Sequence, residues 1–320
     1  MSPAAAPTGA DLDALAAALG RAVPGGVARD VPASELGTYR LGGPVAVLVR
    51  VDDDDALARV SEVVCDRRPP LLVIGRGSNL LVADTGFAGL GVVLGGEFET
   101  VAIASDGRRV RAGGAVPLPV LARRSAAAGV TGLEFFVGIP GSVGGAVRMN
   151  AGGHGRETRD VLTTAAVRDL LHPGAGVAVR AATDLALGYR TSAIGPDDVV
   201  IHAEFVTERD DPAACDARID DVVRWRREHQ PGGSNGGSVF RNPPDDAAGR
   251  LIDVSGCKGL RVGGAVVSEK HANFFQAEPG ATADDVHRLV VAVRERVAVA
   301  TGVTLEPELV MVGFDQEPTT

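Results

Sequence analysis

The chain is poor in cysteine, in aromatic rings and in positive charge, and each shortage removes a class of function. Its three cysteines, Cys65, Cys215 and Cys257, are odd in number, far apart, without a CxxC pair and without histidine at ligand spacing. That excludes a disulfide framework and a zinc site, leaves no metal expected, and reads as ordinary thiols in a reducing compartment. A formal net charge of -9 and a pI near 5.2 argue against a non-specific nucleic-acid binder and against docking on an anionic membrane. A local basic pocket for a phosphorylated small molecule remains compatible with that charge. Long apolar runs are missing too: Arg, Asp or Gly breaks each one well short of the roughly 18 residues a membrane span needs. The opening MSPAAAPTGA has neither a basic n-region nor an apolar h-region, so no signal peptide is expected and the sequence reads as a soluble cytoplasmic protein. There is one Trp, and both tyrosines precede an arginine, at Tyr39-Arg40 and Tyr189-Arg190.

What is abundant is glycine, 42 residues of 320, nearly twice the usual share of about 7%. The densest stretch is Gly138–Gly155, GIPGSVGGAVRMNAGGHG, with seven glycines in eighteen residues. Each interior Gly costs a helix about 1 kcal/mol relative to Ala, so the run is not expected to be helical. It offers backbone that can lie close against another surface, punctuated by Ser142, Arg148, Asn150 and His154. That is the composition of a wall against a large flat ligand. A flexible linker is the alternative, although linkers favour Ser and charge where this run interleaves Ile139, Val143, Val147 and Met149.

A second cluster, GRGSN at Gly75–Asn79, follows the buried-type strand Pro70–Ile74. Closely spaced glycines let successive backbone N–H groups converge on an anion, and the Ser and Asn side chains add donors. The third glycine of a dinucleotide fingerprint and the GK[ST] of a P-loop are both absent, and Leu80-Leu81-Val82 follows in place of a helix start. The stretch reads as a diphosphate cradle in an unusual setting.

With 45% hydrophobic and 23% charged residues the chain can bury a sizeable core, and its length suggests two or three domains. The first ten residues read as disordered and Asp11–Leu19 as an Ala-rich helix. Val45–Val51 reads as a strand, and Asp52–Asp55 as the acidic opening of a helix to about Cys65. From Thr100 the pattern turns β-rich: Thr100–Ala104, Arg109–Ala112, Thr164–Leu171, Gly176–Arg180 and Val199–Val206 suggest an antiparallel sheet. A helix from Val116-Pro117 to near Gly129 makes this an α+β layer. Pro212–Glu228 is a helix with Ile219, Val222 and Val223 on its apolar face and the Arg226 stem beside them. Gly232–Pro243 reads as another glycine loop and Gly249–Ser255 as a short helix. Thr282–Ala300 is the strongest helix, opened by a Thr282/Asp285 capping box, with Val286, Leu289, Val290, Val293 and Val297 as its buried stripe. A closing strand, Thr304–Val312, would put Glu306 and Glu308 on one face.

Six stretches in one order, IGRGSNLLVADTGFAG, GLEFFVGIPGSVGGAVRMNAGGHGRE, LGYRTS, QPGGSNGGSVFRNP, LIDVSGCKGLRVGGAVVSEKHANFF and TLEPELVMVG, resemble the UDP-N-acetylenolpyruvoylglucosamine reductase family from about Thr38 to Gly313. The resemblance implies an α+β fold of the vanillyl-alcohol-oxidase type, with FAD-binding subdomains at residues 1–95 and 96–207 and a substrate-binding domain at 208–320. It implies that NADPH reduces non-covalent FAD. The flavin then reduces the enolpyruvyl group of UDP-N-acetylglucosamine enolpyruvate to UDP-N-acetylmuramate, in peptidoglycan precursor synthesis. The implied partners are small molecules, with no nucleic acid and no membrane, and the implied state is a monomer.

Carried over residue by residue, the resemblance makes Ser238 in GGSVF, Arg190 in LGYRTS and Glu308 in LEPE the catalytic set. The chemistry suits them. An enol ether conjugated to a carboxylate accepts hydride at its β-carbon, leaving an enolate that needs stabilisation at the carboxyl end and a proton at the α-carbon. Ser238 would give the proton, and Arg190 and Glu308 would stabilise the enolate. For FAD, the resemblance places Gly75, Gly77, Ser78 and Asn79 around the diphosphate and Tyr39 and Arg40 near its ribose or phosphates. It places Ile139, Pro140, Gly141, Gly144 and Gly145 beside the ring system, with Arg148 and Asn150 on the same wall. Asn242 and His271 match substrate-facing positions, and Arg241 stands where the family commonly has lysine.

One departure is informative. Only residues 191–237 separate Arg190 from Ser238, and no tyrosine lies among them. The sequence therefore resembles the shorter branch of the family, without the inserted tyrosine that folds over the substrate. Two other readings stay open: an alcohol or sugar oxidase of the same superfamily, with His154 as the candidate for covalent flavin attachment, and a nucleotide-binding protein without chemistry.

Overall fold

The computed structural model describes residues 7–314 and divides into two compact units. The first comprises the chain up to Asp30, Ala46–Arg76 and Ala88–Trp225; the second comprises Val31–Val45, Gly77–Phe87 and the chain from Arg226 onward. Of the first ten residues, expected to be disordered, 1–6 lie outside the described residues, and Gly9 and Ala10 already belong to α1 (Gly9–Ala22). The helix starts early because the Thr8 side chain accepts from Asp11 N while the Asp11 carboxylate accepts from Thr8 N.

In the first unit a four-stranded sheet runs in the order Val27–Pro32, Pro44–Val51, Phe87–Leu94, Leu71–Ile74, the last two parallel. Helix α2 (Asp54–Arg67) opens on Asp53, whose side chain accepts from Ala56 N. The β-rich middle of the chain forms the antiparallel sheet its pattern suggested, in the order Val177–Ala181, Leu162–Asp169, Asp198–Val206, Arg109–Gly113, Val101–Ile103. Helices α3 (Leu118–Ala127), α4 (Val143–Met149) and α5 (Pro212–His229) complete the helices of this part of the chain. Val110, Ala203 and Phe205 of the sheet join Leu121, Val143, Val147 and Ile219 in one core. Val199 and Ile201 join Leu57 and Val60 of α2 in another. The central strand Asp198–Val206 thus feeds both cores, which is why it reads as a nearly continuous apolar run.

The second unit holds a sheet in the order Ser234–Ser238, Phe274–Ala277, Ala265–Val267, Arg261–Val262, a parallel pair of Leu80–Val82 with Val310–Val312, and helices α6 (Ala248–Val254) and α7 (Ala283–Thr301). All five stripe residues of α7 are buried, and its Thr282/Asp285 capping box is present. The Asp84 carboxylate adds acceptors for Ala283 N and Asp284 N at 3.1 and 2.9 Å. Cys215 and Cys257 are buried free thiols, pushed up by burial, and Cys65 is half-buried and free. Among the described residues no helix is long and apolar enough to cross a membrane, and no cluster of His, Cys, Asp or Glu is placed to hold a metal.

Candidate active site

The glycine-rich stretch, expected to avoid helix, contains α4. Ser142 caps it, accepting from Gly145 N at 3.4 Å, and Asn150 ends it in the left-handed region at φ 41°. The glycine pair falls in the first turn, where N–H groups need outside partners. Val143 N and Gly144 N find them in Val116 O (3.0 Å) and Gly114 O (2.9 Å). A Cβ on Gly144 would stand 3.2 Å from Gly114 O and 3.5 Å from Val200 Cβ. Val143, Ala146 and Val147 are buried, so packing outweighs a propensity cost of about 1 kcal/mol per glycine. Gly144 thus lies close against Gly114 and the strand that carries Val200. Pro140 and Gly145 are exposed, Ile139 and Gly141 half-buried.

Ser142 also meets the other glycine cluster, since a Cβ on Gly75 would lie 2.5 Å from its Oγ. Beyond Gly75 the loop enters the second unit, where Gly77, at φ 57°, is backed onto Leu36 O at 2.1 Å from a would-be Cβ. Among the described residues no backbone hydrogen bond is donated by Arg76, Gly77, Ser78 or Asn79. Successive unspent N–H groups, a Ser hydroxyl and no carboxylate in the loop form a donor set that fits the diphosphate of FAD. Arg40 is exposed at φ 55°. Tyr39 is different: 1% exposed, in the core of the second unit, its ring 2.5 Å from where Gly236 would carry a Cβ. Burial holds its phenol well above the ordinary tyrosine range. Its side chain packs under the Ser238 strand.

Arg190 belongs to the first unit. Gly188 and Thr191 exchange both N–H···O bonds (3.1 and 3.3 Å), so Tyr189-Arg190 is a two-residue turn with Arg190 at φ 55°. The guanidinium lies over the Tyr189 ring, 5.0 Å from its centroid, and Nη2 donates to Gly152 O at 3.4 Å. Asn150, expected to line the flavin wall, is fully buried instead. Its Nδ2 donates to Gly188 O (2.8 Å) and Glu157 Oε2 (3.0 Å), and its Oδ1 accepts from Arg159 N (2.9 Å). Arg148 is half-buried; burial lowers its pKa, against the pull of Asp197 and Asp198. His154, exposed at φ 54°, meets the Trp225 ring edge-on at 5.0 Å.

In the second unit Ser238 ends a strand where a loop was expected. Ser234 and Asn235 pair with Ala277 and Gln276, and Ser238 pairs with Phe274 after a register shift at Gly236-Gly237. Gly237 takes φ 76° with its N–H held by Asn235 Oδ1 at 3.0 Å, and Thr38 Oγ1 donates to Asn235 O at 2.8 Å. The closing strand is shorter than expected, only Val310–Val312, so Glu306 and Glu308 lie on irregular backbone. Pro307 forms an isolated antiparallel bridge with Phe240. This irregular segment is laced to the residues after Ser238: Glu308 N to Val239 O at 2.7 Å and Arg241 N to Glu306 O at 2.9 Å. On its other side Asn79 Nδ2 donates to Glu308 O at 2.9 Å. Ser238 and Glu308 thus stand on adjacent backbone within the second unit.

Asn242 is exposed and its Oδ1 accepts from Ala248 N at 3.0 Å, capping α6. His271 is half-buried, edge-on to Phe274 at 4.8 Å, with its pKa lowered by burial and then by the Lys258 charge. Two positioning bonds escaped the reading of the sequence, those of Asn150 to Gly188 and of Asn79 to Glu308. No local pattern marks a pair so far apart in the chain.

Residues 229–312 match the family described as UDP-N-acetylenolpyruvoylglucosamine reductase, C-terminal domain, and residues 45–169 match the family described as FAD binding domain. The UDP-N-acetylenolpyruvoylglucosamine reductase of Acidiphilium cryptum is 44% identical over 91% of this chain and 93% of its own. That of Methylorubrum populi is 44% identical over 88% of this chain and 90% of its own. The crystal structure of the Thermus caldophilus enzyme matches at 36% identity with a TM-score of 0.77, covering 88% of this chain and 98% of that one. With this likeness over nearly the whole length, the chain belongs to the UDP-N-acetylenolpyruvoylglucosamine reductase family.

Proposed function

We propose that the chain reduces the enolpyruvyl group of UDP-N-acetylglucosamine enolpyruvate to UDP-N-acetylmuramate with NADPH and FAD, in peptidoglycan precursor synthesis in the cytoplasm, acting as a monomer. The observation that carries this reading is the lacing of Val239–Arg241 to Glu306–Leu309, which holds a hydroxyl and a carboxylic acid at one place. Gly75, Gly77, Ser78, Asn79 and Arg40 hold the FAD diphosphate and ribose side, and Ile139, Pro140, Gly141 and Gly145 flank the ring system. Residues 1–95 and 96–207 serve the cofactor and 208–320 the substrate, with Asn242 and His271 facing it.

FAD held by the Gly75–Asn79 loop would supply the hydride chemistry that links NADPH to the β-carbon of the enolpyruvyl group. The electron pair of the double bond then rests on the α-carbon and carboxylate as an enolate. Arg190 pairs with that carboxylate and stabilises the added charge. Glu308, laced beside the Ser238 strand, helps to stabilise the enolate and hold the carboxyl end. Ser238 delivers a proton to the α-carbon, completing addition of one hydride and one proton across the bond. The neutral form of His271, favoured by burial, offers the substrate an uncharged hydrogen-bond partner.

The test is the visible spectrum of the purified protein. A flavin spectrum bleached by NADPH and restored by UDP-N-acetylglucosamine enolpyruvate is the expected result. A protein that bleaches but reoxidises only with oxygen would be a different flavoenzyme, and one that holds no flavin would lose the reading altogether.

A further inference from the structure

The Arg190 turn is held by a set of bonds that the proposed chemistry does not itself require. Three alternate residues of the glycine-rich stretch, Arg148, Asn150 and Gly152, each bond to one of three alternate residues of the turn, Ser192, Gly188 and Arg190. Ser192 Oγ donates to Arg148 O at 2.7 Å, Asn150 Nδ2 to Gly188 O at 2.8 Å, and Arg190 Nη2 to Gly152 O at 3.4 Å. We propose that Asn150 and Ser192 are positioning residues that set the guanidinium of Arg190 for the substrate carboxylate. The proposal rests on the reading of Arg190 as the group that holds that carboxylate.

Three features make the role one of placement. Asn150 has no exposed surface, and both of its N–H donors are spent, on Gly188 O and Glu157 Oε2, leaving it no donor for a ligand. Its orientation is fixed, because the oxygen must accept from Arg159 N at 2.9 Å, so a flipped amide would face donor with donor. And the thing it holds needs holding: Arg190 sits at φ 55°, in the left-handed region that a residue with a side chain disfavours. Ser192 braces the far side, donating to Arg148 O and accepting from Ile194 N at 3.2 Å. Tyr189, which lies under the guanidinium, is 44% exposed and supplies a surface more than a clamp.

A guanidinium displaced by about 1 Å from a carboxylate can lose around a hundredfold in rate. Stopped-flow absorbance of the FAD-loaded enzyme separates the halves: bleaching by NADPH, then reoxidation by the enolpyruvyl substrate under anaerobic conditions. Ser192→Ala should slow reoxidation about 3- to 10-fold and Asn150→Gly, which tolerates the left-handed backbone, about 10- to 100-fold. Bleaching by NADPH should stay within about twofold in both. Ser192→Thr, which keeps the hydroxyl, should recover most of the rate. In an Arg190→Ala background Ser192→Ala should have no further effect. Equal slowing of both halves, or an undiminished Ser192→Ala effect without Arg190, overturns the proposal. If Arg190→Ala alone leaves reoxidation intact, the reading of Arg190 fails first and visibly. Should Asn150→Gly not fold, the Ser192 pair still decides.

Discussion

Arg190 in the first unit and Glu308 in the second stand on irregular backbone, and an asparagine amide fixes each of them, but the two asparagines differ in what they keep in reserve. Asn150 is fully buried and gives both donors to the protein. Asn79 is half-buried and gives one, to Glu308 O, leaving its second N–H at a loop whose backbone donors are unspent. A buried amide with every group paired can only hold a shape, because rearranging it strands polar atoms. An amide at the edge of a ligand loop can hold a shape and meet a ligand as well. Asn150 is thus left with placement alone, while Asn79 keeps a donor for a second role.

The largest effect should come from Ser238→Ala. If Ser238 supplies the proton, flavin bleaching by NADPH is spared and reoxidation by the enolpyruvyl substrate falls by about 10²–10⁴. Substrate affinity should change little, since a neutral hydroxyl contributes about 0.5–1.5 kcal/mol. Equal slowing in both halves would make Ser238 a loop-shape residue and leave the proton to water.

Next in size is the contrast between the asparagines. Asn150→Ala takes the acceptor from Arg159 N and leaves Gly188 O with Thr191 N alone, at about 1–3 kcal/mol for a lost buried bond, and puts alanine, which tolerates the left-handed region less well than asparagine, at φ 41°. Its thermal midpoint should fall by several degrees, because about 1 kcal/mol moves a large domain by roughly 2–4 °C. Asn79→Ala should lower the midpoint less and weaken FAD retention more. Equal retention of FAD by the two variants would break the distinction drawn above. Arg40→Ala, at an exposed site, should weaken FAD retention with almost no change in the midpoint of the flavin-free protein.

The same two regions show what a sequence discloses. Helices α2 and α7 and the antiparallel sheet were legible because caps and apolar periodicity are local signals, and α7 buries every residue of its expected stripe. Helix α4 was illegible: its glycines argue against helix, and only Val116 and Gly114, brought to its first turn by the sheet, reverse that. The strand around Glu308 was overdrawn because alternation was read through a segment that keeps only an isolated bridge, Pro307 with Phe240, before Val310–Val312. That Tyr39 packs against Gly236 was not legible, because the two lie far apart in the chain. The bonds that position Arg190 and Glu308 join residues 38 and 229 positions apart, and only the folded chain pairs them.

The smallest expected effect tests whether the two units respond alike to acid. Each has a half-buried histidine held below the ordinary value of 6.5. For His202 the cause is burial, then the Arg111 guanidinium, whose Nη2 lies 3.1 Å from Nδ1, with Glu204 pulling the other way. For His271 it is burial, then Lys258, opposed by a backbone hydrogen bond. A folded-state pKa below the unfolded one means the unfolded chain takes up protons first as pH drops. The stabilisation from each neutral ring is therefore fully present above about pH 6.5 and is lost as pH falls below it. The thermal midpoint should decline between pH 7 and pH 5, and His202→Gln and His271→Gln should each flatten part of that decline, since glutamine stays neutral throughout. Calorimetry at pH 7, 6 and 5 measures the slopes. A parent and a double variant with the same slope would assign the decline to carboxylates and leave both histidines without a share in it.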